Sequence, residues 1–289
     1  MLRALVTGAT GFIGGHLVRA LASNGWEVHA IFRETPPKGP AQVHRIDGTQ
    51  QRLIEILNEV QPDVVFHLAS LFLADHTPDQ IEPLLTSNVV FPTQLVEAMR
   101  TSGCRRLVNT GTGWQFGPGG DPSAVNLYAA SKQAFDAILK YYSDAHDLSV
   151  LSLRLFDTYG QDDPRRKLIG ILLEAVGSST PLDMSPGEQV VDMTHISDVV
   201  DAFVVAGERL MRAEEPIEEA WFVSGERQTV RELVDTVCQA VGRQIDVNFG
   251  GRAYRPREVM FPADPTDQLL PGWHRKTSLA ESLPTMVSF

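Results

Sequence analysis

The sequence predicts an α/β protein, a doubly wound parallel sheet with a smaller, irregular C-terminal domain. Three observations predict it. Short continuous apolar runs recur through the first half of the chain, apolar residues at helical spacing lie between them, and a glycine-rich turn joins the first run to the first helical segment. Strands buried on both faces read as unbroken apolar runs because helices cover each side of the sheet.

Taken in order, Leu2 to Val6 reads as a strand, and Ile13, Leu17, Val18 and Leu21 recur at helical spacing until Asn24-Gly25 ends the helix. Val28 to Phe32 is the second strand, and a third short strand precedes Asp47. Leu53, Ile54, Ile56, Leu57 and Val60 predict a helix, followed after Pro62-Asp63 by the apolar run Val64 to Leu68. Leu84 to Met99 supplies another helix, Arg106 to Asn109 a strand, and Gly111 to Gly120 a glycine-rich stretch. Tyr128 to Tyr142 is helical and Val150 to Leu155 is a strand. Beyond it the pattern loosens, with helices expected at Leu168 to Val176, Asp198 to Ala206 and Val230 to Val241, and weak signals from Gly250 onward. This predicts a dinucleotide-binding domain over 1–155 with a returning segment near 188–206, and a substrate-binding cap from 156–187 and 207–289.

Composition narrows the class. The chain has 289 residues, 43% hydrophobic and 21% charged, enough to bury a large core. With 25 Lys+Arg against 36 Asp+Glu the formal net charge is −11, so the global field repels nucleic acid and anionic membranes. An anionic nucleotide still binds where local amides and a few basic side chains overrule that sign. The two cysteines, Cys104 and Cys238, form neither a CxxC nor a cluster with His at metal-ligand spacing, so reduced thiols, a cytoplasmic location and no metal are expected. Gly8 and Gly11 interrupt the N-terminal apolar run before a signal-peptide core or membrane span is complete.

Thr7-Gly8-Ala9-Thr10-Gly11-Phe12-Ile13-Gly14 lies where the first strand hands over to the first helix. There Gly8 makes a tight turn, Gly11 lets the backbone approach a pyrophosphate at the helix N-terminus, and Gly14 lets the helix pack on the strand. A plain turn with incidental glycines is the alternative, and the strand-to-helix context favours dinucleotide binding, with Gly8, Thr10, Gly11, Phe12 and Ile13 against the cofactor. The second strand ends Ile31-Phe32-Arg33, where an Arg accepts a 2′-phosphate and an acid would hold a 2′-hydroxyl. Arg33 thus favours NADP(H) over NAD(H), although Glu34 stands beside it and a solvated surface charge is the alternative. Asp47, followed by Gly48, is expected at the adenine amino group, or else caps the helix near Gln51.

Tyr128 and Lys132 are four apart on one helix, so a phenol and an ammonium share a face one turn apart. An adjacent cation favours phenolate, which predicts a lowered Tyr128 pKa suited to proton exchange with a carbonyl or alcohol. Thr112, in Asn109-Thr110-Gly111-Thr112-Gly113 at a predicted strand end, offers a hydroxyl to the reacting oxygen, with Thr110 as its rival and turn formation as the plain alternative.

TGxxGxxG, Thr112 ahead of Gln115-Phe116-Gly117, and YxxxK, in that order, resemble the extended short-chain dehydrogenase/reductase family. His67-Leu68-Ala69-Ser70, Asn88 and Leu153 to Gly160 also resemble family segments, so the likeness covers most of the chain. The resemblance implies a Rossmann domain in which Thr112, Tyr128 and Lys132 are catalytic and Thr112 rather than Thr110 takes the hydroxyl position. It further implies that Leu68, Ala69 and Ser70 line the cofactor site, that Asn88 on the same side supports helix packing, and that Lys132 holds the nicotinamide ribose. Sugar 4,6-dehydratases of the family carry Thr-Asp-Glu where this chain has Thr112-Gly113-Trp114, so dehydration is disfavoured. Asp157 stands where many relatives have Asn, and Val191 where they have Arg beside the Asp192 position. Arg165, Arg166, Lys167, Arg255 and Arg257 are the candidates to replace those groups, with Trp114, Asp157, Arg165 and Arg257 as the expected substrate contacts.

Ser185 to Gln189 and Asp157 to Gly160 are similar to NDP-hexose 4-ketoreductases. That implies NADPH-dependent reduction of a nucleotide-activated 4-keto-6-deoxyhexose. An epimerase, a reductase of a non-sugar carbonyl and a catalytically silent nucleotide binder are the alternatives. His67 and His195 read as packed residues, and the helices containing Leu95 or Leu139 as a possible homodimer face.

Overall fold

A computed structural model describes residues 1–117 and 120–287, so two residues of the glycine-rich stretch 111–120 lie outside it. The first six strands are β1 (Arg3–Thr7), β2 (Glu27–Phe32), β3 (Gln42–Arg45), β4 (Val64–His67), β5 (Arg106–Thr112) and β6 (Ser149–Leu155). With β10 (Glu218–Val223) they make one seven-stranded sheet in the order β10-β6-β5-β4-β1-β2-β3, and every pairing in it is parallel. The strand order reverses at β1 and β4, which opens a crevice at their carboxyl ends.

Helices cover both faces. On one side α1 (Phe12–Ser23) and α7 (Ile196–Arg212) bury Leu17, Val18, Val199 and Phe203 against Val6, Phe66 and Leu151. On the other, α2 (Gln50–Val60), α4 (Phe91–Thr101) and α5 (Leu127–His146) bury Ile56, Leu57, Met99 and Phe135 against Leu5, Val65 and Val150. Leu95 and Leu139 lie in this second core, fully occupied within the protomer; the exposed apolar side chains on or beside the same helices are Val90 and Tyr141. Among the described residues no helix is long and apolar enough to cross a membrane.

The helix expected from Leu84 to Met99 is instead three joined pieces: α3 (Ile81–Leu85), a π turn over Thr86–Val90, and α4. Pro92 has no N–H to return to the Asn88 carbonyl, so the ladder cannot continue in α register there. Phe91 N–H reaches back to Thr86 O, and the Thr93 hydroxyl donates to Val89 O at 2.7 Å. The widened turn presents Asn88 inward, 1% exposed.

After β6 the chain builds a second layer. β7 (Asp157–Tyr159), β9 (Val190–His195) and β11 (Glu226–Thr229) form a small mixed sheet, and β8 (Leu182–Met184) pairs with β12 (Val247–Phe249). α6 (Leu168–Ala175), α8 (Val230–Val241) and α9 (Leu279–Ser282) close a third core around Leu172, Met193, Leu233 and Val237. Segment 207–289, read from the sequence as cap, is divided: the end of α7 packs on the main sheet and β10 is one of its strands. β10 escapes the sequence pattern because Glu218 and Glu219 occupy its first two positions and leave only a short apolar run, Glu219 being held by a two-bond ion pair with Arg209.

Phe203 is fully buried in the core that α7 shares with the sheet. Phe203→Ala should cost about 4 kcal/mol in chemical denaturation, the scale of a large core truncation.

Candidate active site

The crevice floor is made by backbone. Gly8 sits at φ +73, and a Cβ on it would fall 2.6 Å from Ala69 N; a Cβ on Gly14 would fall 2.2 Å from Gly8 O. Neither position accepts a larger residue without moving backbone. Gly11 N donates to Gly8 O at 2.9 Å and Gly11 stands at the N-cap of α1, whose first turn has neither a side-chain cap nor an acid. The amides at that helix end therefore face the crevice unclaimed by side chains, which suits an anionic pyrophosphate. Thr10 and Gly11 are exposed, Phe12 is buried and Ile13 half-buried.

Thr7 fixes the opposite wall. Its hydroxyl oxygen accepts from Leu68 N at 3.2 Å and Ala69 N at 3.1 Å, so its proton goes to His67 Nδ1 at 2.8 Å. His67 is accordingly neutral: burial, with Lys132 adding to it, pushes its pKa down to about 3. Asn88 then carries the loop onward. It accepts from Ser70 Oγ (3.0 Å) and Leu71 N (2.8 Å) and donates to Leu71 O (2.9 Å) and Ser131 Oγ (3.1 Å). Both ends of its carboxamide are thereby engaged within the protein, making Asn88 the strut between the cofactor-side loop and α5.

At the carboxyl end of β2, Arg33 is exposed just beyond the strand. Its carbonyl accepts from Arg45 Nε (3.2 Å), and the Arg45 carbonyl accepts from Arg52 Nε (3.1 Å), so three arginines gather at this corner. Asp47 is not the helix cap: Thr49 caps α2 through Arg52 N, and Asp47 Oδ1 holds Thr49 by its N–H (2.9 Å) and hydroxyl (2.7 Å). Those bonds draw the Asp47 pKa below its ordinary value. Gly48 completes the same turn at φ +87.

At the reacting end, Asn126 caps α5 through Ala129 N (2.9 Å) and donates to Ala74 O (2.9 Å), which seats the helix start against the loop after β4. Tyr128 and Lys132 follow on that helix. The Tyr128 ring packs edge-on against Phe72 at 5.0 Å, Phe72 meets Trp114 at 5.7 Å, and Lys167 Nζ lies 4.0 Å over the Phe72 ring. The expectation that Lys132 lowers the Tyr128 pKa is overturned. Burial pushes Tyr128 up to about 12, with a hydrogen bond from Ser70 and the charge of Arg165 opposing it. Burial also pulls Lys132 down to about 8, against the pull of Asp136. Desolvation penalises both charged forms, and it exceeds the opposing contributions of Ser70 and Arg165 at Tyr128 and of Asp136 at Lys132.

Thr112 is 9% exposed at the end of β5, and its hydroxyl oxygen accepts from Trp114 N at 3.3 Å. Its proton is thereby left for another acceptor. Thr110 is not a rival, because its hydroxyl donates to His67 O at 2.8 Å and ties β5 to β4.

The cap supplies a hollow of about 330 Å³ lined by Asp157, Tyr159, Arg165, Lys167, Leu168 and Met193 among others. Arg165 is held there by two 2.8 Å bonds to Asp163 and a 3.0 Å bond to Thr158 O, with its guanidinium 4.8 Å over the Phe12 ring. It joins cap to glycine turn and is already neutralised. Lys167, half-buried and 3.8 Å from Asp157, is the other cation of this wall. Arg257 lies elsewhere, donating to Ser123 Oγ (3.1 Å) beside a second hollow of about 170 Å³ that Gly117 and Val125 also line. The sequence reading passed over Phe72 and chose Arg165 ahead of Lys167. The signal available for Phe72 was an aromatic residue two positions after the His67-Leu68-Ala69-Ser70 run.

A glycine turn without side-chain caps, a strand-end hydroxyl and a Tyr–Lys helix face thus converge on one crevice. Residues 4–218 match the NAD dependent epimerase/dehydratase family. The chain belongs to that family. It is an enzyme of the extended short-chain dehydrogenase/reductase type, with the family's Rossmann sheet. CDP-abequose synthase of Yersinia pseudotuberculosis is 27% identical over 266 residues, covering 90% of this chain and 92% of that protein. UDP-glucose 4-epimerase of Mycolicibacterium smegmatis is 28% identical over 313 residues, covering 100% and 98%. Among solved structures, UDP-glucose 4-epimerase of Thermus thermophilus in complex with NAD superposes with a TM-score of 0.81 at 26% identity, covering 99% of this chain and 97% of that one.

Asn88→Leu preserves bulk but strands the N–H and C=O of Leu71. It should cost about 2–6 kcal/mol in chemical denaturation, about one to three for each of the two polar groups left unpaired; a smaller loss would mean that the loop repairs its own bonding.

Proposed function

We propose that the enzyme reduces the 4-keto group of a nucleotide-activated 6-deoxyhexose with NADPH. The observation that carries this reading is the composition of the reacting end: a proton donor, a cation and a hydroxyl, with no acid–base pair beside Thr112. Gly113 is required there, since a Cβ would fall 2.3 Å from Phe156 Cε1, and Trp114 packs against Phe72. Elimination of water needs an acid and a base at this loop; reduction needs a single proton.

Bound NADPH supplies the hydride, and the chain's residues handle the rest. Tyr128, kept as a neutral phenol by burial, gives its proton to the carbonyl oxygen. Thr112, its oxygen occupied by Trp114 N–H, donates to the same oxygen as negative charge develops there. Lys132 as the ammonium holds the nicotinamide ribose and eases the return of a proton to Tyr128. Arg33, with Arg45 and Arg52 around it, supports a 2′-phosphate and so an exchangeable NADPH consumed once per turnover. Lys167, Asp157 and Trp114 are proposed to meet the sugar nucleotide in the cap. Similarity to the CDP-abequose synthases supports the deoxysugar assignment.

The full-length match to UDP-glucose 4-epimerases favours a second reading, epimerisation of a nucleotide sugar. It calls for a cofactor that co-purifies and shows no net change of redox state. The two separate on one assay: NADPH absorbance on mixing with CDP-, dTDP- and GDP-4-keto-6-deoxyhexoses. Reduction predicts oxidation that Tyr128→Phe slows by roughly 10²–10⁴-fold; no oxidation with any member would remove the reductase reading for that panel. Since Lys132 is an ammonium only below about 8, the reduction rate should fall as pH rises through that value. Arg33→Ala should weaken NADPH binding about tenfold and leave NADH nearly unchanged, as measured by cofactor fluorescence.

A further inference from the structure

Tyr128, Lys132 and Asp136 stand at four-residue spacing on α5, so a carboxyl group continues the phenol–ammonium face one turn further along the helix. Asp136 Oδ2 accepts from Gln115 Nε2 at 2.6 Å. The other end of that carboxamide, Gln115 Oε1, accepts from the backbone N of Thr112 at 2.8 Å. Gln115 is itself 1% exposed, and its carbonyl accepts from Gln133 Nε2 at 2.6 Å, a second tie to α5. A Cβ on Gly111 would fall 2.8 Å from Gln115 Oε1, so the strand leaves room for this carboxamide.

We propose that Gln115 and Asp136 are the positioning residues of the active site: Asp136 holds the Gln115 carboxamide, which fixes the Thr112 peptide against the Tyr128–Lys132 face. The role rests on the assignment of Thr112, Tyr128 and Lys132 to catalysis. One buried relay sets both the place of the Thr112 hydroxyl and the charge beside Lys132. The relay has no slack. Gln115 amide nitrogen can only donate and its oxygen only accept, so the orientation is dictated by the Thr112 N–H at one end and the carboxylate at the other. Asp136 also faces Arg154 of β6, Glu218 of β10 and Lys132, and Asp136 Oδ1 and Arg154 Nε are buried without a hydrogen-bond partner among the described residues. Arg154 lies 4.4 Å over the Phe116 ring, next to Gln115. Lys132 faces Asp136 and His67. Burial raises the Asp136 pKa while Gln115, Arg154 and Lys132 draw it down, so the carboxylate depends on the relay that it supports.

The test compares Gln115→Leu, Asp136→Leu and Asp136→Asn in the full chain by amide hydrogen exchange at Thr112, by the pH dependence of NADPH binding, and by kcat and KM. Gln115→Leu and Asp136→Leu should speed Thr112 exchange at least about tenfold and lower kcat more than KM for NADPH. Asp136→Asn still offers an oxygen to Gln115, so Thr112 protection should be restored. It removes the negative charge beside Lys132, so the alkaline loss of NADPH affinity should move to lower pH by about one unit. Unchanged Thr112 exchange in Gln115→Leu, Asp136→Asn exchanging at Thr112 as fast as Asp136→Leu, or no pH shift in either Asp136 variant would overturn the relay. If Gln115→Leu does not fold, the two Asp136 variants decide. If the parent protein turns over no carbonyl in the panel, the reductase reading fails, while exchange and cofactor binding still decide the relay.

Discussion

The hydroxyl of Thr7 is the contact on which the crevice depends. It takes two backbone N–H groups from the start of the loop after β4 and gives its proton to His67, so the ends of β1 and β4 are bound into one wall. Gly8 then turns at a positive φ with the Ala69 backbone too close for any side chain. Everything placed downstream inherits this geometry. Ser70 and Leu71 are handed to Asn88, Asn88 to Ser131, and Ser131 lies on the helix that carries Tyr128 and Lys132. A strand-end threonine is thereby connected through polar contacts to the helix that carries Tyr128 and Lys132.

Burial governs the chemistry of those groups. In water a phenol beside an ammonium would ionise more readily; in this crevice desolvation raises the Tyr128 pKa to about 12 and lowers that of Lys132 to about 8, so at neutral pH the phenol keeps its proton and Lys132 is still an ammonium. The direction matters because a reductase needs a phenol that arrives with its proton, whereas an alcohol dehydrogenase acting at neutral pH needs one that has lost it. The same low dielectric makes the few compensating contacts count, and they come from Ser70, Arg165 and Asp136.

Much of this was legible in the sequence where a residue's role follows from local periodicity. The apolar runs at Leu5 and Val65, the glycine turn and the Tyr128–Lys132 spacing all report on short stretches of chain, and each stands where its pattern placed it. What escaped depends on which partner each polar side chain takes, and periodicity does not report that. β10 begins with two glutamates and is placed by its parallel ladder to β6, with Glu219 paired to Arg209 at the end of α7. Asp47 looks like a helix cap until Thr49 takes that place. Arg165 looks like a cation available to a phosphate until Asp163, two residues before it, engages its fork. The π turn is the instructive case: its cause, Pro92, is plain in the sequence, yet its consequence is the inward aim of Asn88, four residues earlier.

The net charge of −11 poses a problem for an enzyme whose cofactor and proposed substrate are both anionic. The fold answers it by sorting cations according to whether they are already paired. Arg165 is neutralised by Asp163, and Arg209 by Glu219, so each serves as a mechanical joint. Lys167 instead lies over an aromatic ring with Asp157 at 3.8 Å, and burial pulls its pKa down, so its charge is poorly solvated before any ligand arrives. An incoming diphosphate would improve the surroundings of such a cation at small desolvation cost to the protein, since that cost was met on folding. The anion need not overcome the whole field of the protein, only the short range over which these partly buried cations and the α1 amides act.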